Sequence, residues 1–476
     1  MDFETVIGLE VHLQLKTATK IFCACANQFG EQPNSLTCPV CLGLPGTLPV
    51  LNKKVLEYGI KVGLALGCEI NPYIKFDRKN YYYPDLPKAY QISQYDFPVA
   101  KNGLVMIPME KGELKKIRVN RAHLEEDAGK LTHEADGTLV DYNRTGTPLL
   151  EIVTEADMRS PQEAYDYLQV LKLTLQYLNV SDCDMEKGSL RCDANVSIRP
   201  REETKLGTKS EIKNMNSFKA VKAALEYEVI RHTQVILSGE KIVQETRLWD
   251  DNKQMTLSMR SKEEAHDYRY FPDPDLVPFV VKADKIKEIR QSLPELPYAK
   301  LERFKNQYNL NGYDAFILVL DQTIAQFFEE CVALYPEAKK IANWLNGPLL
   351  REISDRKSSL AELKLVPASL AGLIKMVEDG VVSNLVGKDV LKIMLDTGKS
   401  AEQIIQENGL AQVSDQESLT RIVDEIIKEN PKAVGEIKSG KENVLGFLVG
   451  QTMKKTQGKA NPKMIGEIIK RRILDA

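Results

Sequence analysis

The sequence predicts an α+β protein: a large, mainly antiparallel sheet domain with helices, then a helical domain and a small helical tail. Three observations lead there. Apolar residues alternate with polar ones in segment after segment up to about residue 290, the period of half-buried strands. Helical-period stripes interrupt those segments without the regular βαβ rhythm of a parallel sheet. Beyond a cluster of prolines, Pro272, Pro274, Pro278, Pro294 and Pro297, the strand signal disappears and short helical stripes take over.

The first element is "ETVIGLEVHLQLKT", where Ile7, Leu9, Val11, Leu13 and Leu15 alternate with Gly8, Glu10, His12 and Gln14. One face is apolar; the other presents a carboxylate and an imidazole pointing the same way. Next come "FCACAN" and "TCPVCLG", in which Cys23 and Cys25 are separated by 12 residues from Cys38 and Cys41. That spacing lets two turns present four thiolates to one tetrahedral ion, a closed and therefore structural zinc site; four buried thiols are the plainer alternative. Strands or strand ends follow in "KIRVNRAHLEEDAGK", "TGTPLLEIVTE", "SLRCDANVSIRP" and "KSEIKNMNSF". Ser160-Pro161-Gln162-Glu163 reads as a capping box with proline at the first helical position, and Ala164, Leu168, Leu171, Leu175 and Leu178 form the stripe behind it. A second helix follows Ser217. Residues 298 to 405 read as helices, and a polar stretch at 406 to 414 reads as a hinge. Ser414 to Glu417 is another capping box, ahead of Leu419, Ile422, Val423, Ile426 and Ile427. The last helix opens at Pro462, with Ile465, Ile468, Ile469 and Ile473 inward. The expected domains are 1–292, 293–405 and 406–476.

Composition narrows the function. At 476 residues the chain is too long for one core. With 43% hydrophobic residues and a net charge of −3, no global field marks a nucleic-acid partner. The start, "MDFETVIG", is not a secretory signal, and no apolar run is long enough for a membrane helix, so a cytoplasmic protein is expected. Eight cysteines in such a chain are not a disulfide scaffold; Cys68, Cys183, Cys192 and Cys331 read as core residues. No dinucleotide fingerprint or nucleophile elbow occurs, and "GEIKSGKE" lacks the hydroxyl and the preceding strand of a P-loop.

What remains is a dispersed set of acids in strand-like contexts. Glu10 shares a face with His12, "AHLEEDAG" places His123, Glu125 and Asp127 on one side, and Glu151, Asp193 and Glu211 sit among apolar neighbours. Buried acids are costly unless paired or metal-bound, and several carboxylates with an imidazole suit magnesium and its phosphate substrates. Lys79, Arg144, Arg191 and Lys213 lie beside these acids, as phosphoryl transfer requires. Tyr81, Tyr82, Tyr83, Tyr90 and Tyr95 interleave with Arg78, Lys79 and Lys88, a composition that stacks bases or simply packs on the sheet. In the tail, Lys454, Lys455, Lys459, Lys463, Lys470, Arg471 and Arg472 suit a phosphate backbone; a solvated helical face fits the charge equally well.

The segments "VIGLEVHLQL", "CPVCLGLPGTLPVLN", "RKNYYYPDLPKAYQISQ", "HLEEDAGK", "NRTGTPLLEIV", "SLRCDANVS", "EIKNMNSF" and "MRSKEEAHDYRYFPDPDL" together closely resemble the B subunits of bacterial tRNA-dependent amidotransferases. The resemblance covers essentially the whole chain. It implies ATP-dependent, glutamine-hydrolysing amidation of Glu-tRNA(Gln) and Asp-tRNA(Asn): the side-chain carboxylate on the tRNA is phosphorylated, and ammonia displaces the phosphate. It implies Glu10, His12, Glu125, Lys79 and Arg191 as catalytic residues. Lys79, Asn80, Tyr81, Tyr82, Arg144, Arg191 and Asp193 would hold ATP, and Glu10, His12, Glu125, Glu151, Asp193 and Glu211 magnesium. Lys454, Lys455, Lys459, Lys463, Arg471 and Arg472 would bind tRNA. No glutaminase nucleophile is recognisable, so an amidase-type A subunit would supply ammonia and a small C subunit would brace a heterotrimer. Two rivals are a non-catalytic tRNA-binding scaffold and a magnesium-dependent phosphoryl or nucleotidyl transferase acting on a small metabolite.

Overall fold

A computed structural model describes residues 2–109, 113–259, 268–410, 416–438, 444–456 and 462–474. The chain forms two compact units, Met1–Leu296 and Pro297–Ala476.

The alternation of the opening segment places its strand, Phe3–Gln14, in the middle of a nine-stranded sheet. It pairs antiparallel with Leu190–Pro200 on one side and with Pro148–Thr154 on the other. Leu114–Glu126, Ala100–Pro108 and Glu69–Ile70 continue beyond the second of these. Ser210–Lys213, Glu245–Asp250 and Met255–Ser258 continue beyond the first, and Ser210–Lys213 pairs parallel with Glu245–Asp250.

Ile7, Leu9, Val11 and Leu13 are buried in one apolar core with residues of the helices Lys53–Ala65, Pro161–Leu178 and Phe218–Leu237. Burying each such side chain is worth about 1.5–3 kcal/mol. A slip of one residue would turn Glu10 and His12 into that core, so burial fixes which side chains face the opposite side. The opposite face is flanked by a small sheet of Asp77–Asn80, Tyr90–Ser93 and Phe271–Pro272.

The helix at Pro161 starts as expected in part. The Ser160 hydroxyl accepts from the Glu163 amide, but the reciprocal half of the box is replaced. The Glu163 carboxylate accepts instead from the Arg159 amide at 2.6 Å and from Lys115 at 2.7 Å. Ala164, Leu168, Leu171, Leu175 and Leu178 are all buried.

The second unit is helical from Pro297–Tyr308 to Ala401–Glu407, then from Gln416–Glu429 to Pro462–Leu474. In its last four helices Leu419, Val423, Leu448, Ile465, Ile469 and Ile473 share a core. The start of the expected capping box at 414 and part of the expected hinge, 411–414, lie outside the described residues. Among the described residues no helix is long and apolar enough to cross a membrane.

Candidate active site and cysteine cluster

Register assembles the polar face. His12 lies opposite Glu151 on one side and Arg191 on the other, and Glu151 lies opposite His123. Four neighbouring strands thus carry the row His123, Glu151, His12, Arg191. Glu10 sits one step along, opposite Asp193, and Glu125 follows His123 on the same face. The side chains converge: His12 Nε2 is 3.3 Å from Glu151, 3.7 Å from Glu10 and 3.9 Å from Glu125. His123 Nε2 is 3.4 Å from Glu151 and 3.7 Å from Glu125. Two three-donor sets result, Glu10–His12–Glu151 and His123–Glu125–Glu151, each with its donor atoms within 4.8 Å of one another. Glu151 belongs to both.

Glu125 and Glu151 are in the interior, 3% and 7% exposed, whereas Glu10 is partly exposed. Burial and the neighbouring Glu151 push Glu10 up. Burial would raise Glu151 too, but the two imidazoles outweigh it and hold its carboxyl well below the usual range. Burial would lower His123, yet Glu151 and Glu125 push it up to about 9; His12 is raised in the same way. Among the described residues, His123 Nδ1 is buried without a hydrogen-bond partner. Oxygen-rich sets with imidazoles at this spacing could hold a hard divalent cation, which would supply charge neutralisation for a phosphate substrate.

Asp193 and Glu211 belong to neither set. Lys213 pairs with Asp193 at 2.6 Å and Glu211 at 3.2 Å, and Glu211 also accepts from Thr246. Arg191 donates to Asp127 at 2.9 Å, as does Gln14. Arg144 lies 3.7 Å from the same carboxylate and donates to the Ala128 and Gly129 carbonyls. Two cations therefore converge on Asp127 at one end of the row. Lys79 stands over the rings of Tyr268 and Tyr81, 4.8 and 5.7 Å from their centroids. Asn80 donates to the Arg269 carbonyl. Tyr81 is half-buried, whereas Tyr82 is 80% exposed. Tyr95 stacks on Tyr270 at 4.3 Å, and burial together with Glu125 and Glu151 pushes the Tyr270 phenol up. Tyr268 and Tyr270 were legible only as the aromatic alternation in "DYRYFP", far along the chain from the loop they join.

The four cysteines of the first turns meet, their sulfurs within 4.8 Å of one another. Cys41 accepts from the Cys38 amide at 3.1 Å, and a hydrogen bond from Cys23 pulls its thiol down to about 5. Four sulfurs so placed fit a soft divalent ion. Cys68, Cys183, Cys192 and Cys331 are buried and separate.

In the second unit Lys455 pairs with Glu425 and Glu429, and Arg472 with Asp424. Lys454 and Arg471 lie in the last turns of their helices. Lys459 and the side chain of Lys463 lie outside the described residues.

Comparison with known proteins places the chain. The GatB/GatE catalytic domain matches residues 5–287, and the GatB domain matches residues 326–473. The chain is similar to proteins named as the B subunit of aspartyl/glutamyl-tRNA(Asn/Gln) amidotransferase. It is 53% identical to that of Carboxydothermus hydrogenoformans, with 98% of each chain covered. For Caldanaerobacter subterraneus the identity is 55% with 99% of each covered, and for Clostridium tetani 52% with 98% of each.

Proposed function

The chain belongs to the family of aspartyl/glutamyl-tRNA(Asn/Gln) amidotransferase B subunits, and from that premise we propose that its first unit activates the side-chain carboxylate of a misacylated tRNA. The enzyme that such a subunit helps to form carries out tRNA-dependent amidation. An ionised carboxylate repels nucleophiles and offers no leaving group, so it is first made into an acyl phosphate. A carboxylate oxygen attacks the γ-phosphorus of ATP and ADP leaves. Ammonia then attacks the acyl carbon, inorganic phosphate leaves, and Gln-tRNA(Gln) or Asn-tRNA(Asn) results.

The observation that carries this reading is the pair of three-donor sets sharing Glu151 on the polar face of the sheet. Glu10, His12, His123, Glu125 and Glu151 would hold magnesium, which when bound would neutralise phosphate charge. Arg191 and Arg144, oriented by Asp127, and Lys79, held by two tyrosine rings, contact phosphate oxygens. Asp193 and Glu211, already paired with Lys213, flank the ligands and set the position of that cation. Asn80, Tyr81 and Tyr82 line the entry used by ATP and the acceptor end. The cysteines hold structural zinc, and Lys454, Lys455, Lys459, Lys463, Arg471 and Arg472 contact tRNA. Ammonia comes from an amidase-type A subunit, a small C subunit steadies the assembly, and its setting is the cytoplasm. A non-catalytic scaffold gains nothing from five ionisable side chains gathered on one face at a desolvation cost.

The test uses Glu-tRNA labelled with ¹⁸O in its side-chain carboxylate. The assembled enzyme transfers one labelled oxygen to inorganic phosphate as amide forms. With Glu151→Gln, transfer and amide formation fall together while misacylated tRNA still binds. Amide formation in that variant at the rate of the parent overturns the assignment.

A further inference from the structure

Lys20 is 0% exposed, and its ammonium donates to the Leu36 carbonyl at 2.8 Å, the Tyr142 carbonyl at 3.5 Å and Cys41 Sγ at 3.9 Å. Among the described residues no carboxylate pairs with it. Glu126, on the strand beneath, is taken by Lys88 and by the Ile92 amide. A buried cation without an anion carries a penalty of several kcal/mol, so its charge needs a partner. With a divalent ion bound, the four-cysteine cluster would be that partner: four thiolates around such an ion would carry a net charge of −2, and one buried ammonium would halve it.

The contacts of Lys20 extend past the cluster. Leu36 N donates to Asn143 Oδ1 at 2.7 Å and Asn143 Nδ2 to the Gln32 carbonyl at 2.6 Å. Tyr142 N donates to Asn34 Oδ1 at 2.8 Å, and Ile21 N to the Gly146 carbonyl at 3.0 Å. The cysteine module is thereby laced to the segment 142–147, and that segment belongs to the candidate active site. It carries Arg144; its Gly146, at φ +79°, donates to the Asp127 carbonyl; and it runs directly into the strand of Glu151.

Resting on the reading of the four cysteines as a metal cluster, we propose that Lys20 is the charge-neutralising link between a metal tetrathiolate and the Arg144 segment, so that metal occupancy sets the geometry of the anion-binding end of the active site. Lys20 is a positioning residue here. Donors to metal-bound ligands typically change metal affinity by about 10- to 100-fold when removed.

The test compares full-length parent, Lys20→Met and Lys20→Arg. Zinc is titrated away with a chromophoric chelator, cobalt(II) loading is followed by its thiolate charge-transfer absorption, and amide hydrogen exchange is read over residues 142–147. The expected outcome is one zinc per chain in the parent and faster exchange over 142–147 once zinc is stripped. Lys20→Met should yield zinc about 10- to 100-fold more readily, with the tetrathiolate spectrum retained, and Lys20→Arg should fall nearer the parent. Equal zinc retention by parent and Lys20→Met overturns the role of Lys20. Exchange unchanged by zinc removal from the parent overturns the coupling, and this arm decides the matter if the methionine variant does not fold. A parent that takes up neither zinc nor cobalt overturns the metal reading itself, a distinct failure.

Discussion

Asp127 illustrates how much one side chain organises. It follows the strand Leu114–Glu126 and accepts from Arg191 and Gln14, with Arg144 close by. A charge-assisted hydrogen bond is worth about 1.5–3 kcal/mol. Asp127→Asn keeps the shape and removes the charge, so Arg191 and Arg144 lose their common anchor. The expected outcome is a KM for ATP raised about tenfold or more, with a smaller change in kcat, measured as ADP release in the assembled enzyme. Equal losses in kcat and kcat/KM would instead assign Asp127 to the transition state. At this scale the sequence was informative wherever period two sufficed: Glu10 with His12, and His123 with Glu125, share faces along their own strands. Which strands adjoin was not legible, because register between residues more than a hundred apart depends on the shared core. Hence Asp193 and Glu211 read as metal ligands alongside Glu151, whereas the fold pairs both with Lys213.

Among the elements, the helix Phe218–Leu237 has the most consequential contacts. Its Glu228 is fully buried and accepts from Arg231, from Thr256 at 2.5 Å and from Arg247 at 3.0 Å, with His232 3.3 Å away. Ser210 Oγ is 2.9 Å from His232 Nε2. This network ties the helix to the strands Ser210–Lys213, Glu245–Asp250 and Met255–Ser258, and so fixes the strand that carries Glu211 and Lys213. Burial would raise Glu228, but hydrogen bonds from His232, Arg231 and Thr256 outweigh it and hold the carboxyl down to about 2 from an ordinary 4.5. A depressed carboxyl stabilises the fold above its unfolded value, and the gain fades as pH falls from 4.5 towards 2. Its size is about 3 kcal/mol. Glu228→Gln should therefore lower the urea midpoint at pH 7, and the gap between parent and variant should narrow below pH 4.5. A gap constant from pH 7 to pH 3 contradicts the network's role. The helix itself was legible from Ser217 onward, its polar inner face was not: Glu228 and His232 are four residues apart, the spacing of any surface ion pair, and only the edge strands that cover them turn that pair into a buried one.

At the scale of the whole molecule, the proposed function assigns chemistry and tRNA capture to different units of the chain, Met1–Leu296 and Pro297–Ala476. The tail cations are partly committed to exposed pairs, Lys455 with Glu425 and Glu429 and Arg472 with Asp424. Such pairs are worth about 0–1 kcal/mol, too little to compete with a phosphate backbone. Substituting alanine for Lys454 and Arg471 should weaken tRNA binding and reduce the slope of log affinity against log salt by about one for each phosphate no longer neutralised, as read by filter binding across a salt series. An unchanged slope would leave the tail a solvated surface. The change from sheet to helices near the proline cluster was legible because each proline removes a ladder donor, and the tail's isoleucine stripe was legible by its period. The meeting of the opening strand with acids from three others was the part that only the fold supplies.

The central claim is that the polar face of the first strand and its neighbours is where the carboxylate is activated. The most direct measurement uses the assembled enzyme with Glu-tRNA(Gln), ATP and magnesium, ammonium chloride in place of glutamine, and parallel reading of amide formation and ADP release. Both should appear with the parent chain, and both should vanish with Glu125→Gln while glutamine hydrolysis by the glutaminase partner persists. Normal amidation by Glu125→Gln would contradict the account and leave this chain a scaffold for chemistry done elsewhere.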